Sequence, residues 1–299
     1  MNREISIVIP AYNEQEALKG FLPVLREQYK DVEIVVVDDS SDDNTVDIAK
    51  QCGADIVISH TYNMGNGATI KTGARTASGK YLVFMDADGQ HRPEDIGKLL
   101  EKMNEGYDMV VGARNNSGHA SLTRFLGNRF YNWLASIISG HQIIDLTSGF
   151  RVVRADYFRR FLYLLPNGFS YPSSITMAFF RAGYSVAYVP VEVMQRKGKS
   201  HLRVIRDGIR FLLIIFKIGT LYSPLKIFAP VSLFFFISGV CYYAYTFYTM
   251  SRFTNMSALL FIVSILVFLI GLVSEQITAL MYSAADRDDS VKSRNTHNQ

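Results

Sequence analysis

Cysteine is scarce: 299 residues contain two, Cys52 and Cys241. They lie far apart in stretches of different character, which excludes a disulfide framework and metal-ligand spacing; both read as structural thiols in a reducing compartment. The first ten residues lack the long apolar core and cleavage site of a signal peptide, so the water-facing part is expected to stay in the cytoplasm. No internal repeat or low-complexity linker interrupts the chain. Charged residues make up only 19% against 48% hydrophobic, too apolar for a disordered chain and too charged for one built of membrane spans alone.

What is present is unevenly spread. Between Lys226 and Met281 only Arg252 and Glu275 carry charge. The uncharged runs Ile227 to Ser251 and Phe253 to Ser274 hold 25 and 22 residues, and a transmembrane helix needs about 20. The reading is a two-helix transmembrane hairpin (227–251 and 253–275), both ends on one side; a buried helical hairpin of a soluble protein is disfavoured by these lengths. Just before it, Glu192 to Lys226 carries eight Lys/Arg against Glu192 and Asp207, a local +6 in a chain of net +4. Within it, Arg203, Arg206 and Arg210 oppose Ile205, Ile209, Leu212, Leu213 and Phe216, the pattern of an interfacial amphipathic helix over 202–222. Such a belt is attracted by an anionic leaflet, so it indicates membrane proximity and not nucleic acid, with the water-facing part and both termini expected on the cytoplasmic side of the cell membrane. The expected organisation is a domain over 1–195, a basic juxtamembrane segment over 196–223, two spans within 224–283, and a polar, irregular tail over 284–299. The many aromatics of the spans, Phe234 to Phe236 among them, fit packing and an interfacial belt better than a lipid-binding groove. Glu275 has no assigned role at this level.

The first two thirds alternate short Val/Ile runs with helical stretches. Strands are expected at Ile5 to Ile9, Glu33 to Val37, Asp55 to Ile58, Tyr81 to Met85, Asp108 to Val111 and Ser185 to Val193, and helices at Glu14 to Tyr29, Asp42 to Gln51 and Pro93 to Glu105. That alternation predicts an α/β domain with a mainly parallel sheet, whose ligands sit beyond the carboxyl ends of the strands. Polar residues gather at those ends: Pro10-Ala11-Tyr12-Asn13-Glu14, Asp38-Asp39-Ser40-Ser41 and Asp86-Ala87-Asp88-Gly89-Gln90-His91. Two carboxylates two residues apart at a strand end can hold a hard divalent cation, which in turn grips a diphosphate. Asp38 can accept hydrogen bonds from a base or ribose, whereas Ser41 to Asn44 reads as a helix cap. Asn63-Met64-Gly65-Asn66-Gly67, followed by Lys71 and Gly73, has the look of a phosphate-binding glycine loop but matches neither dinucleotide nor Walker spacing.

Taken in order with Gly112-Ala113-Arg114 and Thr147-Ser148-Gly149-Phe150-Arg151, these motifs resemble the family 2 glycosyltransferases of the GT-A fold. Within them the similarity is to the polyprenyl-phosphate branch, dolichol-phosphate mannosyltransferases and bacterial undecaprenyl-phosphate glycosyltransferases, over about residues 4 to 200. The resemblance implies that Pro10, Tyr12, Glu14, Asp38, Asp39, Asp86 and Ala87 contact the nucleotide, and that Asp86, Asp88 and Gln90 hold Mg²⁺ or Mn²⁺. It places Arg114 near the donor phosphates or the incoming acceptor phosphate. Arg124 and Asn128, one helical turn apart, correspond to an acceptor-phosphate pair, with Asn where relatives can have Ser. The family's basic stretch appears as Arg196-Lys197-Gly198-Lys199-Ser200-His201, one residue short, with Arg196 and Lys199 as its phosphate contacts. Asp88, Arg114 and Arg124 would carry catalysis.

The implied reaction moves one sugar, with inversion, from a UDP- or GDP-linked donor to a polyprenyl phosphate. An acceptor phosphate is already ionised at pH 7, so the attack needs no strong base, and the task is to neutralise two clusters of negative charge. Transfer to a sugar hydroxyl would instead need a carboxylate base, for which Asp145 is the candidate if it is not simply a turn or cap residue; a third reading is a membrane scaffold that keeps the fold without catalysis. Arg151 reads equally as a ligand contact or an internal salt-bridge partner, His91 as a residue behind the metal ligands, and His60 and His141 as surface positions. Two spans per chain are compatible with a homo-oligomer.

Overall fold

The computed structural model describes residues 4–114, 122–168, 171–192, 216, 219–220 and 222–296, without the side chains of 122–126, 128 and 282–296. They fall into two units, one within residues 1–136 and 141–204 and the other within 137–140 and 205–299.

The first unit is built on seven strands: β1 (Ile5–Ala11), β2 (Glu33–Asp38), β3 (Ile56–Ser59), β4 (Tyr81–Phe84), β5 (Met109–Arg114), β6 (Arg151–Arg154) and β7 (Val186–Val191). Between them run helices α1 (Gln15–Gln28), α2 (Thr45–Gln51), α3 (Asn66–Thr76), α4 (Glu94–Asn104), α5 (Leu122–Ser139), α6 (Ala155–Arg160) and α7 (Tyr171–Arg181). The runs Ile7-Val8-Ile9 and Ile34-Val35-Val36-Val37 are wholly buried, as β-branched residues are in a parallel sheet covered on both faces. On α1, Leu18, Leu22 and Leu25 recur at helical spacing and pack into the core, as do Ile96, Leu99 and Met103 on α4.

The strand order is β3-β2-β1-β4-β6-β5-β7. β6 runs antiparallel to β4 and β5, pairing Phe84 with Arg151, and the other pairings are parallel. This reversal shapes the site: because β6 starts at the edge where its neighbours end, the turn before it, residues 145–150, lies beside the last residues of β4 and β5. The six expected strands are all present within a few residues. β6 was not among them, because Val152-Val153 between two arginines is too short to show alternation.

In the second unit, α8 (Pro224–Met250) and α9 (Asn255–Thr296) pair as a hairpin. The 27 residues of α8 and the first 27 of α9, to Met281, are long and apolar enough to cross a membrane, each about 40 Å at 1.5 Å per residue. The hairpin is held in the way helices associate in lipid, by small residues and reciprocal hydrogen bonds. Ser232 Oγ donates to the Ser264 carbonyl at 2.9 Å, and Ser264 Oγ donates back to the Ser232 carbonyl at 3.0 Å. Gly239 lets Phe261 close to contact. Glu275 accepts the Leu225 backbone N–H at 3.2 Å, placing a carboxylate on the first turn of α8, where the helix dipole favours it. Phe236 packs on Phe261 and Tyr243 on Phe247 and Phe253, so these aromatics serve packing. The polar residues expected as an irregular tail are helical through Thr296, continuous with α9. Most of the expected amphipathic helix over 202–222, with its three arginines, lies outside the described residues.

Candidate active site

The site is assembled at the carboxyl ends of β1, β2, β4 and β5. After β1, Tyr12 is 45% exposed and Asn13 turns the chain at a positive φ of 55°. Asn13 N–H donates to Ser41 Oγ at 2.8 Å, Asn13 Oδ1 accepts from Asp42 N–H at 2.9 Å, and Glu14 N–H donates to Thr45 Oγ1 at 3.0 Å. These bonds join the loops after β1 and β2 into one wall that carries Pro10, Tyr12, Glu14 and Asp38. Asp38 is buried, and its carboxylate accepts from the backbone N–H and hydroxyl of Ser41, an Asx-type turn.

Asp39 points elsewhere. Its carboxylate accepts from Met64 N–H at 2.9 Å, Gly65 N–H at 2.7 Å and His60 Nδ1 at 2.8 Å, while His60 Nε2 pairs with Thr72 Oγ1 at 2.9 Å. Asp39 thus supports the loop before α3, and His60, expected on the surface, is enclosed with both ring nitrogens engaged. Its position just after β3, at the same sheet edge as Asp39, was the available signal. The glycine segment is likewise structural: a Cβ on Gly65 would lie 2.6 Å from the Asn167 carbonyl oxygen, and one on Gly67 2.0 Å from that of Pro166. Ala68 N–H donates to the Asn167 carbonyl, and Lys71 Nζ to the Leu165 carbonyl and Asn167 Oδ1. The N-terminus of α3 is therefore filled by the 165–168 loop, not offered to a phosphate.

Asp86, Ala87 and Asp88 follow β4, and Asp88 Oδ1 accepts from Gln90 N–H at 3.1 Å. Burial and the neighbouring charge of Asp88 push the Asp86 carboxyl up to about 6, against the opposing charges of Arg114 and Arg151. Above it sits Gly149, where a Cβ would lie 3.2 Å from Asp86 Oδ2, so glycine keeps the approach to the carboxylate open. Crowded acids with an open approach fit a divalent cation. No cluster of three or more His, Cys, Asp or Glu exists among the described residues, so the protein offers two carboxylates, with Gln90 beside them. That is the donor set suited to Mg²⁺ or Mn²⁺ that takes its other ligands from substrate phosphates and water. Because the cation competes with protons, Mn²⁺ affinity measured by titration calorimetry is expected to hold from pH 8 to 7. It then falls on acidification through about 6, approaching tenfold per unit below that; a flat affinity from pH 7 to 5 contradicts the assignment.

His91 is buried and stacks on Phe150 with ring centroids 4.6 Å apart. Burial holds its pKa down at about 4, so it is a neutral ring behind the carboxylates at pH 7. Arg151 forms no salt bridge among the described residues, which corrects the ion-pair alternative. It is fully buried, donating to the Pro172 carbonyl at 3.2 Å, Thr176 Oγ1 at 3.1 Å and the Ser148 carbonyl. His141 is exposed and lies flat on Phe180.

Arg114, the last residue of β5, faces the 145–148 turn. Its Nε and Nη2 donate to the two oxygens of Asp145 at 2.8 and 2.9 Å. Burial acts to raise the Asp145 pKa, but bonds from Arg114 and from backbone N–H groups outweigh it, and the net shift is downward. Asp145 is thus a turn carboxylate paired with an arginine. Arg124 and Asn128 fall on α5, their side chains outside the described set, and Arg196 and Lys199 lie outside the described residues altogether.

The wall joined from the loops after β1 and β2, an acidic pair after β4 and an arginine at the end of β5, carried on this mixed sheet, make up the architecture of a GT-A glycosyltransferase. The chain belongs to glycosyl transferase family 2, whose model matches residues 6–162, and the GtrB C-terminal hairpin matches residues 223–280. Glycosyltransferase AglJ of Haloferax volcanii is 27% identical over 291 residues, covering 92% of this chain and 94% of that one. The undecaprenyl-phosphate mannosyltransferase of Micrococcus luteus is 31% identical over 203 residues, 64% of this chain and 83% of that one. An uncharacterized protein of Methanocaldococcus jannaschii is 38% identical over 157 residues, half of this chain, which spans 63% of that protein's length. Glucosyl-3-phosphoglycerate synthase of Mycobacterium tuberculosis, solved with Mn²⁺, uridine diphosphate and glucosyl-3-phosphoglycerate, shares the fold with a TM-score of 0.58 and 20% identity over 73% of this chain and 80% of that one.

Proposed function

We propose that this glycosyltransferase moves a single sugar from a nucleoside diphosphate sugar to a polyprenyl phosphate at the cytoplasmic face of the membrane, inverting the anomeric centre. The observation that carries the reading is the Asp86–Asp88 pair after β4, crowded, half-buried and left open by Gly149. A divalent cation on that pair would offset the charge that builds on the leaving diphosphate. Pro10, Tyr12, Glu14 and Asp38 would receive the nucleoside, Tyr12 offering its exposed ring to the base. In a single displacement, an acceptor phosphate oxygen attacks the anomeric carbon as the bond to the nucleoside diphosphate breaks, and the diphosphate leaves with the electron pair. No proton must be removed from an ionised phosphate, so no base is required.

The acceptor class rests on the hairpin match and on relatives named for undecaprenyl and dolichyl phosphates. Arg124, Asn128, Arg196 and Lys199 are proposed for the lipid phosphate. The eight Lys/Arg between Glu192 and Lys226, at and before the start of the first span, support the cytoplasmic orientation. The test is transfer by the detergent-purified full chain from a panel of labelled UDP- and GDP-sugars to undecaprenyl and dolichyl phosphate, with Mn²⁺, with Mg²⁺ and with chelator. One donor is expected to label the lipid fraction, in the presence of metal only. Nucleotide binding without a lipid product from any donor contradicts the acceptor, and transfer undiminished by chelator contradicts the metal.

A further inference from the structure

Arginine has five N–H donors in a fixed plane, and what occupies them decides what the side chain can still bind. In Arg114, Nε–H goes to Asp145 Oδ2 at 2.8 Å, and Nη2 serves Asp145 Oδ1 at 2.9 Å and Thr147 Oγ1. The two N–H groups of Nη1 have no partner among the described residues, and the side chain remains 40% exposed. Asp145 is itself held on several sides: besides the guanidinium, it accepts from the backbone N–H of Arg114 at 3.3 Å, Thr147 at 3.1 Å and Ser148 at 3.2 Å, and from Thr147 Oγ1 at 3.2 Å. Ser148 Oγ then ties the turn to the Gly112 carbonyl on β5 at 2.7 Å. A carboxylate that accepts six donors has no lone pair left for a substrate proton, but it fixes the guanidinium plane through a bidentate fork.

We propose that Asp145 is a positioning residue: it locks the plane of Arg114 so that the two Nη1 donors meet a phosphate of the substrate pair. This rests on the transfer reaction proposed above. The phosphate belongs either to the donor diphosphate or to the lipid acceptor, and the kinetics distinguish them. An aspartate acting as base or nucleophile would act whether or not Arg114 is present. One that acts through Arg114 has nothing left to do once the arginine is gone.

The experiment is a double-mutant cycle in the full chain: wild type, Asp145→Asn, Arg114→Ala and both together, with kcat and both KM values from donor and acceptor titrations. The amide introduced by Asp145→Asn retains an oxygen for the Thr147 and Ser148 N–H groups, and the thermal midpoint of each variant checks that the turn survives. The expected result is a loss in kcat/KM of about 30-fold for Asp145→Asn and about 100-fold for Arg114→Ala, with the double variant within about twofold of Arg114→Ala. A rise concentrated in acceptor KM assigns the lipid phosphate, and one in donor KM the diphosphate. Multiplying losses, or Asp145→Asn still lowering kcat in the Arg114→Ala background, overturn the proposal. If the wild type transfers nothing to a polyprenyl phosphate, that failure belongs to the proposed function. The cycle is then read from the affinity of the same four proteins for UDP, GDP and polyprenyl phosphate, where absence of coupling for all three overturns the inference.

Discussion

Asp88→Ala is expected to lower transfer about a thousandfold, equivalent to about 4 kcal/mol of transition-state stabilisation, while leaving the fold intact. Asp88 sits in the loop after β4, where Gly89 turns the chain at a positive φ of 67°, and the loss of its bond from Gln90 N–H is local. Its charge also acts against the folded protein by crowding Asp86, which burial and that charge together push up to about 6. Removing it relieves a repulsion, so the thermal midpoint of Asp88→Ala is expected to equal or exceed that of the wild type. Mn²⁺ affinity, by calorimetry on the same samples, should be lost alongside activity. Activity within tenfold of wild type, or a large fall in the midpoint, would mean that Asp88 is structural and the metal lies elsewhere.

Gly67→Ala is expected to act on stability. A Cβ there would lie 2.0 Å from the Pro166 carbonyl oxygen and 2.9 Å from that of Gly168, both backbone atoms. The 165–168 loop must retreat, giving up Ala68 N–H to the Asn167 carbonyl at 3.1 Å and Lys71 Nζ to the Leu165 carbonyl at 3.1 Å. Overpacking of this kind costs about 3 kcal/mol, and in a domain of this size it lowers the thermal midpoint by about 10 °C. Gly20, within α1 with nothing near its Cβ position, is the control: Gly20→Ala should raise the midpoint. If Gly67→Ala instead keeps the midpoint and loses only nucleotide affinity, the segment is a phosphate loop after all.

The parallel part of the sheet was legible because β1 to β3 are runs rich in Val and Ile with a helix after each, a signal confined to adjacent positions. The acidic pair was legible for a related reason: Asp86 and Asp88 follow a strand directly, and a strand's carboxyl end is where α/β sheets bind. What escaped reading depends on partners distant in sequence. Arg114 and Asp145 are 31 positions apart, Asp39 and His60 21, and Lys71 and Asn167 96. No local period reports such pairs, so Gly65 and Gly67 looked like a ligand loop when their partner is the chain itself. Arg151 was unreadable because a buried arginine held by carbonyl oxygens needs no acidic residue nearby in sequence. The helical continuation of α9 through Asp286–Thr296 follows the opposite rule: a polar composition read as irregular does not prevent a helix from extending off a preformed one, since propagation is easier than nucleation.

The central claim, that the acceptor is a phosphate, is tested most directly by offering the purified full chain its donor together with a polyprenyl phosphate or with the polyprenol of the same length. The two acceptors share a chain and differ in whether the nucleophile is already ionised. The account predicts product from the phosphate alone, cleaved by mild acid as a glycosyl phosphate is. Product from the alcohol at a comparable rate, or an acid-resistant product from the phosphate, would contradict it and require a base that the site does not offer in Asp145.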